Sequence, residues 1–258
     1  MTELKIYSLY SGSEGNSLYV EGEGARILID AGKSAKALTA SLVTIGVCPS
    51  ELDGIFITHE HTDHVSALAT LSKKFGVPIH APAATVNELM KKNCIVSHCL
   101  IPHEPLFSVT VGDITVRSFL TSHDGVCPVG YRVESEGGDV FGHMTDTGIV
   151  TNSAAAALEG CRRVTLEANH DPDMLRNGSY PFYLKMRVAS KFGHLENSLS
   201  ARFAAYLESK GTEGFMLAHL SRENNTHELA LNTVSAALKN KSTTLLTAKQ
   251  NEIVKFEI

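Results

Sequence analysis

Three histidines, a glutamate and an aspartate fall within Thr58-His59-Glu60-His61-Thr62-Asp63-His64, directly after the apolar run Ile55-Phe56-Ile57. Neutral imidazole suits zinc, iron and manganese, and a carboxylate shifts a site toward harder ions. Ligands this closely spaced cannot all turn onto one ion from a regular strand or helix. They fit a loop at a strand end, where alternating side chains face two neighbouring ions. A histidine tag does not fit, because the motif is internal and follows a strand-like segment. The chemistry on offer is that of a two-metal hydrolase.

One motif holds too few ligands for two ions. Three later positions place ligand types at the ends of strand-like runs. They are His123 in Thr121-Ser122-His123-Asp124, Asp146 in Thr145-Asp146-Thr147-Gly148, and His219 in Ala218-His219-Leu220-Ser221. Each alone would be an ordinary loop residue. As a set at matching strand ends, they complete a site. His194, in Phe192-Gly193-His194-Leu195, sits beside a glycine that lets backbone approach a ligand.

The elements that must position these residues follow from periodicity. Segments 4–10, 17–20, 26–30 and 54–57 read as strands, with the turn-rich loop Ser11-Gly12-Ser13-Glu14-Gly15-Asn16 between the first two. Ser34 can cap a helix over 34–45, which Gly46 ends. Helix 66–75, a short strand near 78–80 and helix 85–91 follow. In the second half, 106–111, 114–120, 129–134, 140–145, 163–166 and 214–218 read as strands, and Gly112-Asp113 as a hairpin turn. Helices are expected over 152–158, 181–191, 198–210 and 226–238, and the tail as edge strands. Grouped strands in both halves, with helices between and after them, fit two sheets packed face to face with helices outside. The fold class is therefore α/β, an αββα sandwich, and residues 1–258 are expected to form a single domain.

Bulk properties bound the rest. The chain has 258 residues, 43% hydrophobic, enough for one sizeable core. It has no apolar run long enough to span a membrane, and its start lacks a signal-peptide pattern. Cys48, Cys94, Cys99, Cys127 and Cys161 are odd in number and form no Cys-x-x-Cys pair, which fits free thiols in a reducing cytoplasm. The net charge of -5 argues against broad adhesion to nucleic acid. It does not argue against a nucleic-acid enzyme, because bound divalent ions create a local positive site.

Asp30 after Ile27-Leu28-Ile29, the His59–His64 motif, His123, Asp146 and His219 resemble, in order, the five motifs of the metallo-β-lactamase superfamily. That resemblance implies two packed mixed sheets and a partition of ligands. His59, His61 and His123 would hold one ion, Asp63, His64 and His219 the other, and Asp146 would bridge. Asp30 would steady the metal loop from behind. Six segments narrow the match: 11–16, 58–64, 121–124, Glu167-Ala168-Asn169-His170-Asp171, Gly193-His194-Leu195 and Ala218-His219-Leu220-Ser221-Arg222-Glu223-Asn224-Asn225. Together they resemble the YycJ (WalJ) family over nearly the whole chain.

The family resemblance implies metal-dependent DNA exonuclease activity linked to repair. A 5′-to-3′ direction is the expectation, although the residues alone leave polarity open. Two divalent ions roughly 3.5–4 Å apart can activate water and clamp an in-line phosphoryl displacement. The departing sugar oxygen still needs a proton. His194 is the candidate acid, oriented by Glu167 as in related phosphodiesterases; the alternative is a loop histidine capping the helix near Asn197. With Asp63, they form the candidate catalytic set. Zinc or manganese is expected, and iron is compatible. DNA is the expected substrate, with RNA or a small cyclic phosphodiester as the alternative on the same scaffold. Ester, thioester or lactam hydrolysis is a second class, and a regulator with structural metals a third. Asp30, His170, Ser13, Asn16 and Arg187 are candidates for support or substrate contact. Lys185, Arg187 and Lys191 lie on the helix before His194 and could meet a phosphate backbone, although a solvated helix face is the more common reason for such spacing. Asp124 is either a partner of the ligands or a turn residue. No membrane contact is expected, and no obligate protein partner is inferable.

Overall fold

The computed structural model describes residues 3–92 and 95–258, so Cys94 lies outside the described residues. Cys48, Cys99, Cys127 and Cys161 are free thiols. The first half contributes β1 (Lys5–Tyr10), β2 (Ser17–Glu21), β3 (Arg26–Ile29), β4 (Gly54–Phe56), β5 (Ile79–Pro82) and β6 (Leu100–His103). Its helices are α1 (Ala35–Thr44), α2 (Thr62–Val65), α3 (Leu68–Phe75) and α4 (Ala83–Lys92). The second half adds strands β7 (Ser108–Val111), β8 (Ile114–Leu120), β9 (Val129–Ser135), β10 (Val140–Met144), β11 (Arg163–Glu167), β12 (Gly214–Ala218), β13 (Thr244–Thr247) and β14 (Val254–Lys255). Its helices are α5 (Asn152–Leu158), α6 (Pro172–Asn177), α7 (Phe182–Val188), α8 (Asn197–Glu208) and α9 (His227–Ala237).

Two seven-stranded mixed sheets result, ordered β14-β1-β2-β3-β4-β5-β6 and β13-β12-β11-β10-β9-β8-β7. β3 through β6 run parallel, as do β10 through β13, while the other pairs are antiparallel. Strand alternation assigns the layers. In β3, Ile27 and Ile29 enter the core shared by the two sheets, whereas Leu28 faces the helices. In β12, Met216 and Ala218 join that shared core, and Phe215 and Leu217 pack on the opposite side. The layers are therefore helix, sheet, sheet, helix, as expected. Fully buried side chains of this kind contribute roughly 1.5–3 kcal/mol each.

Several expected elements differ in detail. The helix expected over 66–75 is α3, which starts two residues later and ends at Gly76 in the left-handed region (φ 65), and the separate turn α2 precedes it. The helix expected over 181–191 stops at Val188, because the chain folds back so that the His194 N–H donates to the Val188 carbonyl. β6 and α6 escaped the sequence reading. β6 is short with an interrupted apolar pattern, and α6 hides behind Asp171-Pro172, whose aspartate caps it through the Asp173 and Met174 amides. Among the described residues, no helix is long and apolar enough to cross a membrane.

Candidate metal centre

The site lies at the carboxyl ends of parallel strands, where α/β sheets place their ligands. Asp30 follows β3 in a left-handed backbone conformation (φ 62). Its carboxylate accepts hydrogen bonds from the Thr58 N–H (2.8 Å), the Thr58 hydroxyl (2.8 Å) and His64 Nδ1 (2.7 Å). Asp30 thus ties both ends of the metal loop to its own strand end. The expectation of a pure loop needs correction. Thr62–Val65 closes one helical turn, with the His64 N–H donating to the His61 carbonyl. Asp63 falls in a group with His64 and His219, while the His64 ring stays packed 4.1 Å from that of His59. A glycine is required beside this turn: a Cβ on Gly32 would overlap the Asp63 carbonyl.

The candidate ligand atoms converge in overlapping groups. His59, His61 and His123 can place one ligand atom each within 4.8 Å of one another, and so can Asp63, His64 and His219. Asp146 lies between them. Its Oδ1 is 3.7 Å from His123 Nε2 and 3.6 Å from His219 Nε2, and its Oδ2 is 3.5 Å from His64 Nε2. His59 Nε2 and His61 Nδ1 converge at 3.0 Å. The opposite nitrogen of most of these rings is occupied by protein. His123 Nδ1 donates to the Gly193 carbonyl (3.0 Å), His64 Nδ1 to Asp30 and His219 Nδ1 to Glu167 (3.0 Å). Such partners fix the tautomer that leaves a lone pair toward a metal.

Divalent ions fit this donor set. His219 Nε2 and Asp146 Oδ2 are buried and lack hydrogen-bond partners. Burial disfavours a charged imidazole, and at His59 burial prevails and lowers the pKa. At His219 and His64 the same burial is outweighed by carboxylates. Asp146, Asp63 and Glu167 push His219 up to about 10, and Asp30 and Asp146 raise His64 well above its usual value. Protons thus sit where cations would neutralise the same carboxylates.

Glu167 ends β11 and is fully buried. Its Oε1 accepts from His194 Nδ1 (2.8 Å) and His219 Nδ1 (3.0 Å). Its Oε2 accepts from the Thr147 N–H (2.9 Å) and the Leu195 N–H (3.3 Å). His194 Nδ1 is also 3.8 Å from Asp146 Oδ1. The turn after α7 delivers this histidine, and it needs Gly193, where a Cβ would overlap the Arg187 and Val188 carbonyls.

The remaining candidates divide. Asn16 supports the loop: its N–H donates to the Asp63 carbonyl (2.8 Å) and its side-chain amide to Asp63 Oδ2 (3.3 Å). Ser13 lines the cleft with His194, His219 and Ser221. Arg187 is engaged by the protein, since its guanidinium grips Asp124 Oδ2 through two nitrogens at 2.7 Å. Asp124 Oδ1 lies 3.5 Å from His61 Nε2 and 3.3 Å from His123 Nε2, which makes it a partner of the ligands. His170 is buried away from the ligand groups, and its Nδ1 has no partner. Sequence reasoning missed Thr58, Asn169 and Ser11. Asn169 and Ser11 anchor the His219 carbonyl (2.7 Å) and N–H (2.8 Å). Only adjacency to motif residues could have flagged them.

Residues 25–220 match the family model described as the beta-lactamase superfamily domain. Exodeoxyribonuclease WalJ of Streptococcus pneumoniae is 38% identical over 88% of this chain and 85% of its own length. Exodeoxyribonuclease YycJ of Bacillus anthracis is 36% identical over 90% of this chain and 88% of its own. The crystal structure of the metallo-beta-lactamase fold protein YhfI from Bacillus subtilis shares the fold, with a TM-score of 0.76 at 18% identity over 99% of this chain and 100% of that one. The chain belongs to the metallo-β-lactamase superfamily and, within it, to the family of the WalJ and YycJ exodeoxyribonucleases.

Proposed function

We propose that this chain, acting as a single domain in the cytoplasm, removes nucleotides from DNA ends in the 5′-to-3′ direction as a metal-dependent phosphodiesterase in repair. The observation that carries the reading is the Glu167–His194 pair beside Asp146. His59, His61 and His123 would hold one divalent ion, Asp63, His64 and His219 a second, and Asp146 both. When bound, two such ions supply Lewis acidity to a phosphoryl group and acidify water. Manganese or zinc is our assignment, with iron compatible with the same ligands.

The protein's own part is proton delivery and alignment. Glu167 occupies His194 Nδ1, which leaves Nε2 as the atom that gives a proton to the departing sugar oxygen. Positioned proton transfer of this kind contributes roughly 10²–10⁴-fold. A thioester expels a thiolate, a much better leaving group than an alkoxide, and has far less need of such an acid. Asn16 and Asp30 keep Asp63 and His64 in register, and Asp124 steadies His61.

The test is a screen of zinc, manganese and iron on single- and double-stranded DNA labelled at either end, with RNA and a cyclic dinucleotide in parallel. Early release of the 5′ label as mononucleotide is expected. Cleavage of RNA or the cyclic compound with DNA left intact would move the assignment to those substrates. A fully metallated protein that cleaves none of them would end it.

A further inference from the structure

An apolar cavity of about 480 Å3 opens on the side of α7 opposite the metal cleft. The two faces of this short helix divide the work. Leu184, Arg187 and Val188 line the cleft that holds His194, whereas Phe182, Met186 and Ala189 line the cavity. Successive residues likewise part ways: Asn169 lines the cleft and His170 the cavity. The cavity thus adjoins the candidate active site across one helix and one loop, and its volume falls within the roughly 300–1,000 Å3 of ligand pockets.

Its lining is specific in kind. Pro172, Leu175, Phe182 and Met186 make apolar walls. Phe182, Tyr183 and Met186 on α7 and Phe192 just beyond it are 78%, 74%, 57% and 49% exposed, a concentration of exposed apolar surface just before His194. Two of the polar residues at the cavity, His170 and Glu196, are paired through a parallel backbone bridge. His170 is 2% exposed and its Nδ1 has no partner. An imidazole with a carboxylate suits a neutral heterocycle with ring nitrogens and amino groups, while the carboxylate repels a phosphate. Arg176 and Lys185 stand at the same cavity and suit the backbone charge of the strand that carries the base. Aromatic faces beside cations are the recurrent means of holding unstacked bases.

We propose that this cavity is a nucleobase subsite, which takes one unstacked base of single-stranded DNA near the bond being cut and holds it between Phe182 and Met186, with His170 at its polar edge. The proposal rests on the phosphodiesterase reading for its ligand class, but it is testable without catalysis. Fluorescence anisotropy would follow binding of short single-stranded phosphorothioate oligonucleotides, which resist cleavage, to the metal-loaded full chain, each oligonucleotide carrying one abasic position at a different distance from the end. For the wild type, one position is expected to weaken binding roughly tenfold, the size of one stacked base, and the others little. The double variant Phe182→Ala, Met186→Ala is expected to bind the intact strand about tenfold more weakly and to lose nothing further at that position. His170→Gln, checked for folding by its thermal transition, is expected to alter the preference among bases there. Binding that ignores every abasic position, or the same abasic penalty in wild type and double variant, would overturn the proposal. Position-dependent binding by a protein that cleaves nothing with any of the three metals would instead overturn the catalytic reading alone.

Discussion

Glu167→Gln tests how one buried carboxylate serves two histidines. All four groups that contact Glu167 donate: the Nδ1 atoms of His194 and His219, and the N–H groups of Thr147 and Leu195. A glutamine of the same shape must turn its NH₂ toward one pair. Backbone amides cannot accept, so an NH₂ beside Thr147 and Leu195 would leave buried donors unpaired, at about 1–3 kcal/mol each. The alternative turns NH₂ toward the imidazoles. His219 Nδ1 must then accept, which moves its proton to Nε2, the atom that faces Asp63 and Asp146. That proton removes a metal ligand. Loss of such a supporting partner typically costs 10–100-fold in metal affinity, and we expect a drop of that size in chelator competition. His194→Ala leaves the Glu167–His219 bond in place, so its metal affinity is expected to stay within about twofold of wild type, against that 10–100-fold scale. Its DNA cleavage is expected to fall by roughly 10²–10⁴-fold. Hydrolysis of bis(p-nitrophenyl) phosphate, whose leaving group needs no proton, should fall far less. Equal losses on DNA and on the nitrophenyl ester, with metal content intact, would refute His194 as the acid. Unchanged metal affinity in Glu167→Gln would refute the tautomer argument.

Asp30→Asn disturbs the loop from behind, because an amide cannot accept from Thr58 and His64 on both oxygens; metal affinity is expected to fall by about 10–100-fold, read by chelator competition. Gly32→Ala has no room, since its Cβ meets the Asp63 carbonyl and lies 2.7 Å from the Asn16 nitrogen. Loss of soluble protein or a clearly lowered thermal transition is expected, and a wild-type melting curve would count against the packing described. His80 stacks on Phe56 (4.7 Å between ring centres), and burial holds its pKa down to about 4. The unfolded chain therefore binds a proton there that the folded one refuses. This stability is fully present above about pH 6.5 and is lost as pH falls toward 4, at a cost of order 3 kcal/mol. Urea unfolding of His80→Phe should show a shallower decline than wild type between pH 7 and 5, at equal metal load; parallel declines would exclude His80 as the source.

The candidate ligands were legible because each is a ligand type near the end of an apolar run, and β-strand alternation makes such runs visible. Asp146 and His219 were found in this way and Asp30 through the family resemblance, yet what the three share was not. Each steps out of a strand with a positive φ, at 62°, 55° and 56°. Among the described residues, they are the non-glycine positions with positive φ. Nothing in a lone sequence marks a left-handed aspartate or histidine, which costs on the order of 1–3 kcal/mol. The compensation lies in partners far along the chain: the Asp30 carboxylate in Thr58 and His64, the His219 backbone in Ser11 and Asn169. Asp124 was ambiguous for the same reason, since its role depends on Arg187 across 63 positions. His170 shows the converse. Its neighbours in sequence belong to the active-site loop, but strand-end geometry sends it to the other cavity. Residue type and spacing therefore specify which groups can bind metal, while the turn immediately after each strand decides where they point. A left-handed step at a strand end bends the chain before the next helix or loop can begin, so the ligand meets the facing sheet's ligands across the centre. The strain at Asp30, Asp146 and His219 accordingly belongs to the convergence of the site, and the fold holds it with hydrogen bonds that no local pattern announces.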